Sequence, residues 1–140
     1  MFEDFKHKET KYLDLKDVID LHREILELTG DSPEALRPNN SLGSAINKVK
    51  TAAYYRGADL LSQAVILCIS ISQAQAFIDG NKRTALHCTD VFLRENGYAL
   101  PPNLFEIIDW LERIAEPTNR DLVIAEFESW LRGIVIKVEI

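Results

Sequence analysis

Ala58-Asp59-Leu60-Leu61-Ser62-Gln63-Ala64-Val65-Ile66-Leu67-Cys68-Ile69-Ser70-Ile71-Ser72-Gln73-Ala74-Gln75-Ala76 is the stretch that decides the fold. It holds no proline, no glycine and no turn dipeptide. Leu60, Leu61, Ala64, Val65, Leu67, Cys68, Ile69 and Ile71 would cover most of the circumference of a helix. A helix that is apolar nearly all round is a buried one. Residues 58–76 are therefore expected to form a central helix with other elements packed around it. The expected fold class is all-α.

The flanks supply those other elements. Upstream, Asp14 is expected to cap a helix in which Leu15, Val18, Ile19, His22, Ile25 and Leu26 recur at helical spacing, with Gly30 ending it. Residues 30–40 carry two prolines, two asparagines and a glycine and are expected to be loop. Ser41 is expected to cap a second helix through Leu42, Ala45, Ile46 and Val49, which Tyr54-Tyr55-Arg56-Gly57 then breaks. Downstream, a fourth helix is expected over about 81–96, stopped by Gly97. A fifth runs over 104–116 behind a capping-box pair, Asn103 and Glu106. A sixth runs over about 119–132, ended by Gly133, and Ile134 to Ile140 has the alternation of a short strand. About six helices around a buried one make a compact bundle. Tyr12 and Leu13 form an extended approach, and residues 1–10 a polar tail.

A chain of 140 residues is one domain's worth, and no repeat or linker divides it. The expected organisation is a single domain over 1–140: a tail to residue 10, a core over 11–132 and an extension over 133–140. With 16 basic and 22 acidic residues the net charge is −6, which argues against a general nucleic-acid binder. No apolar run approaches the roughly 18–20 residues of a membrane span. The first residues have no apolar segment of the kind a secretory signal needs. Cys68 and Cys88 lie inside apolar helical patterns and are expected to be packed, reduced thiols of a cytoplasmic protein.

The stretch Phe77-Ile78-Asp79-Gly80-Asn81-Lys82-Arg83-Thr84 joins the buried helix to the next. A helix N-terminus presents unpaired N–H groups and about half a positive charge, so it suits an anion. Gly80 lets the backbone bend with no Cβ in a ligand's way. Asn81 can cap the helix or donate from its amide. Lys82 and Arg83 bring two cations to the helix end where the macrodipole disfavours them, as if something negative were expected there. Asp79 offers a carboxylate beside them, and one carboxylate with substrate phosphates is a common way to hold Mg²⁺. From local chemistry alone the same string also fits a solvated turn.

These residues carry a family resemblance. Phe77 to Thr84 resembles the signature of the Fic/Doc family, which usually reads His, any residue, Phe, any residue, an acid, Ala or Gly, Asn, Lys or Gly, then Arg. The opening Tyr12 to His22 and the stretch Val91 to Tyr98 resemble the same parts of death-on-curing (Doc) proteins, so the likeness covers roughly residues 11–132. Lys82 and Leu86 stand where the Fic branch has Gly and a second Arg, which is the Doc pattern.

The resemblance implies a helical Fic/Doc-type bundle and a toxin of a toxin–antitoxin pair. It implies transfer of a phosphoryl group from ATP to a protein hydroxyl, with elongation factor Tu of the translation machinery as the type of target. Phosphates would rest on Gly80, Asn81, Lys82 and Arg83, Asp79 would act with Mg²⁺, and Phe77 would anchor the loop. Tyr54, Tyr55 and Arg56 stand where relatives dock their target; two aromatics packed on a neighbouring helix account for them equally well. No Ser or Thr is followed four residues later by Glu and then Gly or Asn, the self-inhibitory pattern of some relatives. Inhibition would then come from a separate antitoxin chain whose tail folds into a groove.

The departure is at Gln75, where the family has its general-base His. An amide does not take a proton, and a positioned base is worth about 10²–10⁴ in rate. Impaired phosphotransfer is the expectation, with a nucleotide- or partner-binding pseudoenzyme and a nucleotidyl (AMP) transferase as alternatives. Ala76, often Pro in relatives, is a second departure, which fits natural variation better than a single engineered replacement. His87 would lie roughly 9 Å along the helix from Asn81 and is expected to be packed or otherwise satisfied. His22 is expected to be structural. Trp110 and Trp130, spaced helically with Ile107, Leu111, Phe127 and Leu131, are expected in the core.

Overall fold

The computed structural model describes residues 9–28, 37, 40–77, 80–102, 105–116 and 118–138. Six helices and a two-strand ribbon are present among them: α1 (Leu15–Leu28), α2 (Leu42–Arg56), α3 (Leu60–Ala74), α4 (Asn81–Glu95), β1 (Tyr98–Ala99), α5 (Glu106–Ala115), α6 (Arg120–Ile134) and β2 (Ile136–Lys137). The all-α expectation holds, with α3 at the centre. It packs against α2, α4, α5 and α6. Leu61, Ala64, Cys68 and Ile71 on α3 have no solvent-exposed surface.

Local chemistry sets the helix ends. Asp14 caps α1 as expected, and Asp17 completes a reciprocal pair. The Asp17 N–H donates to Asp14 Oδ1 and the Asp14 N–H to Asp17 Oδ2, both at 2.9 Å. The Ser41 side chain, by contrast, makes no cap bond. Asn40 Oδ1 takes the Leu42 N–H at 3.0 Å instead, so the capping side chain is one residue earlier than expected. Tyr54, Tyr55 and Arg56 do not break α2; they are its last turn, and Gly57 ends it with φ of 63°. Helix α3 is shorter than the expected 58–76. Asp59 caps its start by accepting from the Ser62 N–H at 2.9 Å, and Gln75 ends it in the left-handed region with φ of 49°.

Gly133 does not end α6, which runs on to Ile134, because φ and ψ stay helical until Val135 turns extended. Strand β2 falls inside the stretch expected to be a strand. It pairs antiparallel with β1, Tyr98 opposite Lys137 and Ala99 opposite Ile136, directly after the Gly97 stop. Helix α5 begins at Glu106 behind Phe105, two residues later than expected, so Glu106 opens the helix and does not complete a capping box. Gly30, Asn103, the tail over 1–8 and most of the 30–40 loop lie outside the described residues.

A second anchor joins α3 to α6. Arg132 Nη2 donates to Asp59 Oδ1 at 2.8 Å, to Ser62 Oγ at 3.1 Å and to Glu128 Oε2 at 3.2 Å. Burial pushes the Asp59 carboxyl pKa up, but the Arg132 guanidinium and the Ser62 N–H outweigh it and hold it below the usual value. Trp110, Phe127 and Trp130 stack in one cluster between α5 and α6 with ring centroids 5.8–6.2 Å apart. Phe127 is fully buried while both tryptophans are half-buried. Cys68 and Cys88 are buried and unlinked, and burial pushes the Cys68 thiol up to about 12. No helix is long and apolar enough to cross a membrane among the described residues.

Candidate functional site

The loop from Gln75 to Asn81 lies where two antiparallel helices of the core turn into one another. Chain direction reverses there through two left-handed residues, Gln75 with φ of 49° and Gly80 with φ of 79°. A glycine is the ordinary occupant of such a conformation. Clearance for a ligand is a weaker reason than the sequence suggested. A Cβ at Gly80 would point at the edge of His22, 3.6 Å from Nε2 and 3.7 Å from Cδ2, which is ordinary contact. The constraint on position 80 is therefore its backbone conformation.

Asn81 is the first residue of α4, and its amide works backwards along the chain. Oδ1 accepts the Phe77 N–H at 3.1 Å and Nδ2 donates to the Phe77 carbonyl at 2.8 Å. That closes the loop on itself and satisfies buried backbone groups that no helix serves. Arg37 adds a second tether. Its N–H donates to the Ala76 carbonyl at 2.8 Å and its Nε to the Phe77 carbonyl at 3.1 Å. Phe77 is 1% exposed, the buried anchor the resemblance implied. Its ring is stacked on the imidazole of His22 of α1, centroids 3.6 Å apart and planes 10° off parallel.

Beyond Gly80 the first rung of α4 is the Thr84 N–H to the Gly80 carbonyl at 2.8 Å. The N–H groups of residues 81–83 precede the ladder, at the positive end of the helix. Lys82 and Arg83, both half-buried, sit in this first turn. Gly80 thus stands at the cap position of α4, and Asn81, Lys82 and Arg83 in its first turn. Thr84 Oγ1 is fully buried and has no hydrogen-bond partner. Asp79, the expected metal ligand, lies outside the described residues. No group of three or more His, Cys, Asp or Glu that could hold a metal occurs among the described residues. A magnesium ion held by one carboxylate and substrate phosphates needs no such group.

Gln75 is exposed, at the rim of the loop. Its Nε2 donates to the Ser72 carbonyl at 3.1 Å, so the amide folds back on the end of α3, and its Oε1 is 3.5 Å from Asn81 Nδ2. It stands beside the start of α4 but carries no titratable group.

Arg83 also lines a cavity of about 280 Å³ between α1, α4, residues 100–102 and Phe105. Ile25, Leu86, Leu100 and Phe105 make its walls apolar, while Arg83, Asp90 and Arg94 supply charge. His87 is on this wall, half-exposed with Nε2 3.8 Å from Glu24, so of the two expected alternatives, packed or otherwise satisfied, it takes the second. His22 is structural, as expected, yet it lies directly under the loop. Sequence reasoning placed neither His22 nor Arg37 at the site. Nothing in a proline- and asparagine-rich segment marks Arg37, and a histidine on an apolar stripe does not announce which ring it faces. Tyr54 and Tyr55 are 82% and 77% exposed and pack edge to face on each other, so they are not held against a neighbouring helix.

No curated protein matches the chain at a significant level. Comparison with family profiles matches residues 12–93 to the Fic/DOC family, a span that takes in α1 to α4 and the whole loop from Gln75 to Arg83. Because that match covers more than half of the chain, the protein belongs to the Fic/DOC family.

Proposed function

We propose that the protein is a Doc-like toxin, by ancestry an ATP-dependent phosphotransferase acting on a protein hydroxyl and impaired by Gln75. Family membership carries nucleotide- or phosphoryl-transfer ancestry, and members generally bind ATP with Mg²⁺. The observation that carries the finer reading is the first turn of α4. Two cations, Lys82 and Arg83, stand at a positive helix end behind a glycine bend that Asn81 locks to Phe77. Phosphate oxygens relieve that crowding of like charge.

The residues divide the work. Backbone N–H groups of the first turn of α4 and the Arg83 guanidinium would hold phosphate, Arg by paired donors that Lys cannot duplicate. Lys82 adds a point charge. Asp79 would meet Mg²⁺, which supplies charge neutralisation on the phosphates. The attacking hydroxyl has no base at position 75, so its proton must leave without help. The Doc branch is favoured over nucleotidyl transfer by Lys82 and Leu86. The partners in this reading are a protein of the translation machinery as target and a separate antitoxin chain in the cytoplasm. The apolar cavity beside Arg83, rimmed by Leu28 at 87% exposure and Phe105 at 63%, is the groove we assign to the antitoxin's tail.

The test is transfer of labelled phosphate from ATP to elongation factor Tu by this chain and by Gln75→His. Histidine is among the residues that tolerate the left-handed backbone of position 75, so the variant is expected to fold. Activity is expected to rise about 10²–10⁴-fold in Gln75→His. Mass spectrometry of the target distinguishes a phosphate adduct from a nucleotide adduct. No transfer by either form removes the kinase reading. Mg–ATP binding without transfer would then favour the second reading, a pseudoenzyme, for which the missing base is the specific argument.

A further inference from the structure

We infer that the outer face of α2 is a docking surface for an acidic segment of a partner protein, separate from the loop between α3 and α4. In a chain of net charge −6, residues 37–58 hold four basic residues and no acidic one. Lys48, Lys50 and Arg56 of these are on α2, whereas α1, α4, α5 and α6 all carry carboxylates. Lys50 is engaged with the Tyr12 ring, 5.3 Å from its centroid. Lys48 and Arg56 are exposed, and neither is in an ion pair among the described residues. Helix α2 offers them no carboxylate three or four positions away. Asp59, three residues past Arg56, is engaged with Arg132 at 2.8 Å.

The same two cations line a hollow of about 370 Å³ between α2 and Ile66 of α3. Ser44, Lys48 and Arg56 fall in one row along the helix, and Asn47 and Thr51 form the next. At 1.5 Å per residue, Lys48 and Arg56 stand about 12 Å apart along the axis. An extended chain advances about 13 Å in four residues and keeps those side chains on one face, so two carboxylates of one segment match both cations. The hydroxyls of Ser44 and Thr51 and the Asn47 amide supply hydrogen bonds between them. Tyr54 and Tyr55 stand exposed beside Arg56, and tyrosine and arginine are the residues that commonly anchor interfaces. The surface lies away from the loop. Arg37, just before α2, is bonded to Ala76 and Phe77, so α2 starts near the loop and its last turn lies at the far end. Fifteen residues of α2 make that separation about 22 Å. A segment held by Lys48 and Arg56 therefore leaves the loop open, and the face recruits a partner without touching the reacting groups.

The experiment is fluorescence polarisation of a labelled Glu–Ser repeat peptide, with its Gln–Ser counterpart and labelled oligouridine as the other probes, at low salt, where charge pairing is least screened. The full chain is expected to bind the Glu–Ser peptide and not the Gln–Ser peptide. Lys48→Glu/Arg56→Glu is expected to weaken Glu–Ser binding about tenfold or more. Lys16→Glu/Arg120→Glu changes the net charge equally, at helix starts that favour acids, and is expected to stay within about threefold of the wild type. Arg83→Ala is expected to stay within the same range, which separates this surface from the loop. No binding of the Glu–Ser peptide by the wild type overturns the proposal, as does an equal loss in Lys16→Glu/Arg120→Glu or in Arg83→Ala. Tighter binding of oligouridine than of the Glu–Ser peptide, lost in Lys48→Glu/Arg56→Glu, overturns it in favour of a nucleic-acid surface. Should the charge-reversed variant not fold, Lys48→Ala/Arg56→Ala takes its place, with a loss of about threefold or more expected.

Discussion

Asn81 and Phe77 form a closed ring of two hydrogen bonds, the side-chain amide of one spanning the N–H and carbonyl of the other at 3.1 and 2.8 Å. The pairing explains why a polar residue 8% exposed sits at the head of α4. It also sets the consequence of its loss. In Asn81→Ala the Phe77 carbonyl keeps Arg37 Nε at 3.1 Å, but the Phe77 N–H is left with nothing. A buried donor without a partner costs about 1–3 kcal/mol. Urea denaturation is expected to show a loss in that range, and Asn81→Asp, which keeps the acceptor, a smaller one.

Thr84 poses the opposite problem. Its hydroxyl is buried and unpartnered, and the residue has no exposed surface. A buried hydroxyl without a hydrogen bond costs about 1–3 kcal/mol on the scale of protein mutations. Thr84→Val removes the hydroxyl while keeping shape, so it is expected to raise stability by about 1 kcal/mol. A measured loss of stability would mean that the hydroxyl has a partner in solution.

How far the sequence shows the site follows from these two residues and their neighbours. The string Gly80 to Arg83 was legible because glycine, asparagine and two cations at a helix start are local signals. The end of α3 was not. Gln75 is a good helix former by propensity, and its left-handed φ of 49° is imposed by the reversal into α4, a tertiary demand. The buried course of α3 was legible because a helix apolar on every side has no face to offer to water. Gly133 misled because a glycine near a helix end resembles a stop, while here its backbone stays helical. Strand β1, two residues long, is too short for any alternation and exists only through its pairing with β2. The contacts of His22 with Phe77 and of Arg37 with Ala76 join residues some 40 to 55 positions apart, which no spacing rule links.

Asp59 and Arg132 tie stability to pH. The folded-state pKa of Asp59 lies below its ordinary value of 3.8, so the folded state binds this proton less readily than the unfolded chain does. The contribution is therefore fully present above about pH 4–5 and is lost as the pH falls through the folded value. Asp59→Asn keeps a competent cap residue but removes the titration. Between about pH 5 and about pH 3 the wild type is expected to lose stability more steeply than Asp59→Asn in urea titrations. Parallel slopes would mean that the Asp59–Arg132 contact at 2.8 Å does not persist in solution.

The charge at the start of α4 yields the most direct test of the site. With no ligand, Lys82 and Arg83 crowd a positive helix end, at a cost of about 0.3–1 kcal/mol each for exposed groups. A phosphate ligand removes that cost and binds the folded state alone. At a Mg–ATP concentration about a hundredfold above Kd it would stabilise the protein by about 2.7 kcal/mol. For a chain of this length that is a rise in Tm of roughly 5–12 °C. Arg83→Ala is expected to abolish most of the rise, because no neighbouring side chain replaces a planar guanidinium on phosphate. Gln75→Ala is expected to leave the rise nearly unchanged. The Gln75 side chain is turned back on Ser72 at 3.1 Å, and its place in the family pattern belongs to proton transfer and not to affinity. A full Mg–ATP-dependent shift in Arg83→Ala would show that the loop is an ordinary turn and that nucleotide, if bound, is held elsewhere.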